Sequence, residues 1–360
     1  MPETTFQGRR SVSIANQHLR VTVLKEGGHV AEIQDKELDV NPLWIPPWPS
    51  IEPSLYDRQK NPEYGDDSES RLLAGIMGHN LCLDIFGPPS EEEAAAGLTV
   101  HGEASVVPYD VVSGDSELTM RALLPNAQLR FARRIRLRPA GRVIEFSETV
   151  ENLTATDRPI AWTQHVTLGP PFLAKGRTEF RASATRSKVF ESDSPDPNGY
   201  MQPGAEFEWP NVPRTGGGAA DLRVYSSSPQ SSGFTTHLMD PSRETAYFVA
   251  WSPEPRLAFG YAWMRNDFPW LGIWEENYSR KQPPWNGETL TRGMEFGASP
   301  MPETRRRMVD RGTLFGVPAF RWIPARTRVS VEYRALLDRA ESVPERLAWN
   351  PASDEVRFER

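Results

Sequence analysis

Glu117-Leu118-Thr119-Met120-Arg121-Ala122-Leu123 sets Leu118, Met120 and Ala122 on one face and Thr119 and Arg121 on the other. A period of two is the mark of an extended strand with one dry and one wet side. The same alternation runs through Leu129–Leu137 and through Val143-Ile144-Glu145-Phe146-Ser147-Glu148-Thr149-Val150. Charged residues at the alternate positions predict neighbouring antiparallel strands with one solvated face.

The pattern extends in both directions. Ser11-Val12-Ser13-Ile14 and Leu19–Leu24 read as a pair joined by a tight turn at Asn16-Gln17. Glu26-Gly27-Gly28-His29 turns into a further strand at Val30-Ala31-Glu32-Ile33. Tyr247-Phe248-Val249-Ala250-Trp251, residues 257–263, 270–274 and 326–337 are strand-like as well. Residues 344–349 predict a short helix or a packing tail. Residues 88–97 predict one or two helical turns or an exposed loop, and residues 192–218 a loop. Residues 41–67, rich in proline, aromatic and acidic side chains, are too long for a simple connector and suit a lid or rim. No internal repeat and no linker divides the chain. The expectation is one all-β domain over residues 1–360, a large antiparallel β-sandwich.

Composition narrows the function. The formal charge is −7, which disfavours a nucleic-acid surface. The basic run Arg305-Arg306-Arg307 is short and reads as a solvated loop. The single cysteine, Cys82, allows neither an intrachain disulfide nor a cysteine-based zinc site, and reads as a buried small hydrophobe. The six histidines are scattered, so no catalytic metal site is expected. The first residues carry no apolar signal core, and no run reaches the roughly 20 apolar residues of a membrane span. Cytoplasmic location is the simplest expectation. Thirty-three prolines and 26 glycines suit short strands and turns, and 11 tryptophans suit the apolar faces of sugar rings. The oligomeric state has no signature in the sequence.

Five segments carry chemistry. His165 lies in Ala161-Trp162-Thr163-Gln164-His165-Val166-Thr167-Leu168-Gly169, ahead of Pro170-Pro171, and is placed near a sheet edge or mouth. Glu295 lies in Arg292-Gly293-Met294-Glu295-Phe296-Gly297, opposed in direction to its apolar neighbours. An imidazole and a carboxylate in one pocket form an acid/base pair useful near neutral pH. Glu275 and Glu276, after Trp274, compete for the carboxylate role or line the rim. His101-Gly102-Glu103, and His79-Asn80 after Gly75-Ile76-Met77-Gly78, are candidate sugar-binding positions. For each histidine a structural role is the competing reading.

Together these segments resemble the aldose 1-epimerase, or galactose mutarotase-like, superfamily. The resemblance rests on Gly27-Gly28 before Val30-Ala31-Glu32-Ile33, on Gly75-Ile76-Met77-Gly78, and on His101-Gly102. It rests also on Val150-Glu151-Asn152-Leu153-Thr154 leading to His165, on Trp274 followed by Glu295, and on the strand after Pro324. Glu295-Phe296 stands for the family's Glu-Pro, His165-Val166-Thr167 for its His-Pro-Tyr, and His79 for its arginine, which marks a divergent branch. The resemblance implies a galactose mutarotase-like supersandwich. It implies Glu295 as general base on the anomeric hydroxyl, His165 as acid at the ring oxygen, and His101 as a substrate ligand. His79, Asn80, Trp274 and Glu276 complete the expected sugar contacts. The proton-transfer chemistry that the resemblance implies needs no cofactor, and the partner expected is a small-molecule sugar, with neither nucleic acid nor membrane. A non-catalytic carbohydrate-binding β-sandwich is the alternative, and a glycoside-cleaving or lyase enzyme a third reading.

Overall fold

A computed structural model of the chain describes residues 4–192 and 196–360. Two large antiparallel sheets face each other across one apolar core. The larger has twelve strands. Its middle runs Val30–Asp35, His79–Asp84, Arg158–Leu168, Leu290–Gly297, Trp270–Asn277, Ser231–Met239. The second has eight, in the order Glu179–Ala182, Thr245–Ser252, Leu257–Met264, Arg328–Arg339, Val143–Asn152, Leu129–Leu137, Glu117–Leu124, Asp110–Ser113. The three segments with the clearest alternation are adjacent in this second sheet. Leu118, Met120, Leu129, Phe131, Ile135, Phe146 and Val150 point inward from it.

Period-two alternation decides which face of each strand of the large sheet meets that core. Ile160, Trp162, Val166 and Leu168 point inward from Arg158–Leu168, as do Met294 and Phe296 from Leu290–Gly297. Ala161, Thr163, His165 and Thr167 therefore share the outer face with Gly293, Glu295 and Gly297. Loops cover this outer face and bury it as well, which is why the central strands are buried at nearly every position.

Four expectations change. Arg158–Leu168 is paired on both sides, so His165 stands in the interior of a sheet rather than at its edge. Residues 346–350 form a strand, Arg346–Asn350, paired with Glu355–Glu359. This hairpin lays Leu347 and Trp349 on Val249, Ala262 and Leu336, covering apolar side chains on the outer face of the second sheet. Arg305–Arg311 is a helix capped by Thr304, whose hydroxyl accepts from the Arg307 amide. Arg305 is no solvated side chain: it donates to both oxygens of buried Asp84, at 2.6 and 2.9 Å, and to Glu93. Within residues 192–218 the structure adds two short strands, Glu206–Glu208 and Asn211–Pro213. Residues 193–195 of that segment lie outside the described residues. Glu91–Ala95 is a short helix with a capping box formed by Ser90 and Glu93.

Candidate active site

The register of three neighbouring strands sets Asn80, His165 and Glu295 in one row across the outer face. Gly272 continues the row on the next strand. His165 Nε2 lies 3.1 Å from Glu295 Oε1. The contact is off the line of a good hydrogen bond, and Glu295 Oε1 has no other aligned partner. On its far side, His165 Nδ1 is 2.9 Å from the Thr167 hydroxyl.

Glycines clear the space around the carboxyl group. A Cβ on Gly293 would stand 2.3 Å from Glu295 Oε1. One on Gly272 would stand 2.6 Å from the Phe234 ring and 3.4 Å from Glu295 Cβ. These glycines let a long side chain lie along a sheet face that an ordinary residue would block.

His101 reaches the row from the loop after the helix Glu91–Ala95. Its ring centre is 4.9 Å from that of His165. His101 holds a left-handed backbone, φ +69°, followed by Gly102 at φ +80°. A Cβ on Gly102 would fall 2.2 Å from the Leu83 carbonyl, so only glycine lets this turn sit against the strand. His101 Nδ1 donates to the Phe86 carbonyl at 2.6 Å, which leaves Nε2 as an acceptor.

Burial governs the protonation. Glu295 is almost fully enclosed, and burial pushes its pKa up to about 8. Burial holds His165 well below the usual histidine range, with the neighbouring His101 adding to the effect. Burial takes His101 down to about 4, with Arg280 contributing. At neutral pH the row holds two neutral imidazoles and a protonated carboxyl group.

Aromatic side chains gather beside the row. Trp274, on the strand beside Glu295, is half-buried, with its ring centre 6.0 Å from that of His165. Trp285 meets it at 5.9 Å, edge to face, and stacks on Trp44 at 6.2 Å, while Trp48 closes the cluster. Residues 41–67 thus supply two rings of this aromatic cluster. The Arg280 guanidinium lies over Trp285 at 4.7 Å and over Trp274 at 5.5 Å. The carboxylates of Glu276 and Glu69 are 3.5 and 3.8 Å from it.

The structure brings His165, Glu295, His101, Asn80 and Trp274 to one place. Asn80 donates to the Ser105 hydroxyl, and its Oδ1 is buried without a partner. His79 points the other way, into the core, where it contacts Tyr261 and Gln164 beside the Arg133–Glu148 ion pair. One residue of offset from Asn80 turns it to the opposite face, so it cannot touch a ligand in this site. Glu276 shares the site's face, but its Oε1 accepts from the amides of Ser279 and Arg280 and so holds the following loop. Glu275 faces inward to Arg292. Thr163, Thr167, Gly272, Gly293, Trp44, Trp48, Trp285 and Arg280 also build the site. Of these, Thr163 and Thr167 were readable from their even spacing to His165. The tryptophans and Arg280 come from loops with no periodic signal. Among the described residues no cluster of three or more potential metal ligands exists, and no helix is long and apolar enough to cross a membrane.

No family model matches the sequence, and no curated protein does. Solved structures do. A provisionally assigned aldose 1-epimerase from Klebsiella pneumoniae subsp. pneumoniae superposes with a TM-score of 0.67 at 13% identity, over 92% of this chain and 80% of that one. A second such protein, from Escherichia coli K12, gives 0.63 at 12% identity, over 92% of this chain and 100% of its own. A galactose mutarotase-like protein from Clostridium acetobutylicum gives 0.60 at 13% identity, over 94% and 98%. At such identities the likeness speaks for architecture. The two facing antiparallel sheets and these superpositions establish that the chain has the galactose mutarotase-like fold, carried by a divergent sequence.

Proposed function

We propose that this protein is an aldose 1-epimerase-like enzyme that interconverts sugar anomers by opening and closing the ring. The observation that carries the reading is the His165–Glu295 pair, buried 3.1 Å apart beside a half-exposed tryptophan. Burial leaves the pair with a single exchangeable proton, resting on Glu295. Transfer of that proton to His165 gives a carboxylate and an imidazolium. Glu295 then takes the anomeric hydroxyl proton while His165 Nε2 gives one to the ring oxygen. The C1–O5 bond breaks with its electrons going to O5, and C1 becomes a carbonyl. Rotation about C1–C2 and reclosure from the other face yield the other anomer. The steps are proton transfers with cleavage and reclosure of one C–O bond and no net oxidation, so the chemistry calls for no cofactor.

In this reading His101 Nε2 and Asn80 Oδ1 accept from sugar hydroxyls, and the Trp274 ring packs on sugar C–H groups. Arg280 already has two carboxylates beside it, which favours an uncharged sugar. Hydrolysis of a glycosidic bond is less well served. It needs a second carboxylate within roughly 5–9.5 Å of the first. Glu276 stands four residues from Gly272, the residue opposite Glu295, which is about 13 Å along the strand.

Anomer-exchange NMR with a panel of aldoses tests the proposal. Wild-type protein should accelerate exchange, and His165→Ala and Glu295→Gln should each lower the rate about 10²–10⁴-fold. Sugar binding with no acceleration would instead establish a binding module on this fold.

A further inference from the structure

The successive arginines 305–307 do not share one environment. Arg306 is exposed, with Asp310 3.5 Å away on the same helix. Arg305 reaches back across the fold. Its two Nη atoms donate to the two carboxylate oxygens of Asp84, at 2.6 and 2.9 Å, and its Nε donates to Glu93 at 2.7 Å. A guanidinium fork that meets a carboxylate at two points fixes direction as well as distance. Arg158 adds a longer contact to Asp84, at 3.2 Å. Asp84 is buried, and these partners are what allow a charge to stay there.

Asp84 and Glu93 bracket the segment on which His101 hangs. Asp84 ends the strand His79–Asp84 in a left-handed conformation, φ +79°, which aspartate tolerates but which its surroundings must hold. The chain that leaves this turn carries Phe86 and Gly87 to His101. The Phe86 carbonyl accepts from His101 Nδ1 at 2.6 Å, and the Gly87 carbonyl accepts from the His101 amide at 3.3 Å. The Leu83 amide donates to the His101 carbonyl at 3.1 Å. Glu93 lies on the short helix Glu91–Ala95 that leads to His101. The chain just before Arg305 backs the same segment. The Glu303 carbonyl accepts from the Gly87 amide at 3.2 Å, and a Cβ on Gly87 would stand 2.3 Å from the Pro302 carbonyl oxygen. A carbonyl oxygen can only accept, so the Phe86 contact sets the proton of His101 on Nδ1 and fixes the ring.

We propose that Arg305 is a positioning residue for His101: by clamping Asp84 and Glu93 it fixes the Phe86 carbonyl, and through it the His101 ring. The use of His101 as a sugar ligand rests on the epimerase reading above; the placing of its ring does not. Arg305 directs its side-chain hydrogen bonds to Asp84 and Glu93 and none to Asn80, His165 or Glu295, so its effect on the site passes through His101. Without the fork, Asp84 keeps the longer contact to Arg158, and Glu93 keeps its bond from the Ser90 amide. Nothing then ties the turn at Asp84 to the helix at Glu93. The Phe86 carbonyl loses its alignment with Nδ1, and a hydrogen bond weakens steeply with such misalignment.

The test uses full-length protein labelled with ¹⁵N at histidine, with the His101 signals assigned by their loss in His101→Ala. In wild type the His101 Nδ1–H proton should be slow to exchange with water. Arg305→Met keeps the apolar stem and removes the fork. It should speed that exchange about tenfold or more, while the ring signals of His237, buried elsewhere in the large sheet, stay as in wild type. Arg305→Lys, a point charge in place of the fork, should fall between the two. Arg306→Met, on the same helix, should match wild type. In anomer exchange Arg305→Met should raise KM about tenfold, the worth of one hydrogen bond, with a smaller change in kcat, and Arg305→Lys should recover part of it. An unchanged His101 signal in Arg305→Met would overturn the proposal, because the clamp would not reach the ring. An equal loss at His237 would overturn it too, because the clamp would then serve stability alone. If Arg305→Met does not fold, Arg305→Lys decides by the same signal: faster exchange at His101 supports the proposal and wild-type exchange refutes it. A wild type that accelerates no anomer exchange would sink the epimerase reading while leaving the His101 result to stand.

Discussion

Glu295→Gln should make this protein more stable, by an amount that depends on pH. The carboxyl group is enclosed with no cation in contact, and its pKa rises from 4.5 to about 8 on folding. The folded state therefore keeps a proton that the unfolded chain releases above pH 4.5. A raised carboxyl pKa means that stability is lost as pH climbs from 4.5 toward 8. At about 1.4 kcal/mol per unit, the penalty is near zero at pH 4, about 2 kcal/mol at pH 6, and on the order of 4–5 kcal/mol at pH 8.5. Glutamine keeps the shape and never ionises, so it escapes the penalty. Urea unfolding of wild type and variant at these pH values measures the difference, with fluorescence of the buried tryptophans as the signal. The stability gap should widen steadily with pH. A gap that stays constant from pH 4 to 8.5 would show that Glu295 is ionised in the folded protein and would refute the reasoning.

Three further outcomes follow from the same geometry. Anomer exchange should fall as pH rises through about 8, where the pair loses its shared proton, and should fall again only near pH 4, where His101 gains one; a rate–pH profile that instead rises through 8 would mean that ionised Glu295 with neutral His165 is the active form. Gly293→Ala should abolish exchange at a stability cost of about 1–3 kcal/mol, because the new Cβ, 2.3 Å from Glu295 Oε1, displaces the carboxyl group. Trp274→Ala should raise KM about tenfold with a smaller change in kcat, since its ring serves binding; paired kinetics and thermal melting separate this from unfolding.

The alternation of Leu118, Met120 and Ala122, and of the two segments after them, was enough to establish antiparallel strands, because period two is imposed by the strand itself. The all-β class was legible in the same way, and His165 and Glu295 stood out as ionisable side chains within strand-like segments. Charge at one position of a dry strand is costly, so an isolated Glu among Met, Phe and Gly calls for a reason. What no local pattern could supply was register. Whether His79 or its neighbour Asn80 faces the site is a matter of one residue, and only pairing with the adjoining strand decides it. The same holds for Glu275 and Glu276, which differ by one step and end on opposite faces. Arg305, one of three successive arginines, acquires its role only when Asp84 and Glu93 arrive from more than 200 residues away in sequence. The tail at 346–359 became a hairpin because the second sheet offered apolar side chains to cover. Sequence by itself determined the strands, their dry and wet sides and the residue types able to move protons. Tertiary structure decided which of those residues meet, because their meeting depends on register across strands and on loops with no period. It also decided their protonation, because a pKa responds to burial that only the assembled sheets and loops create.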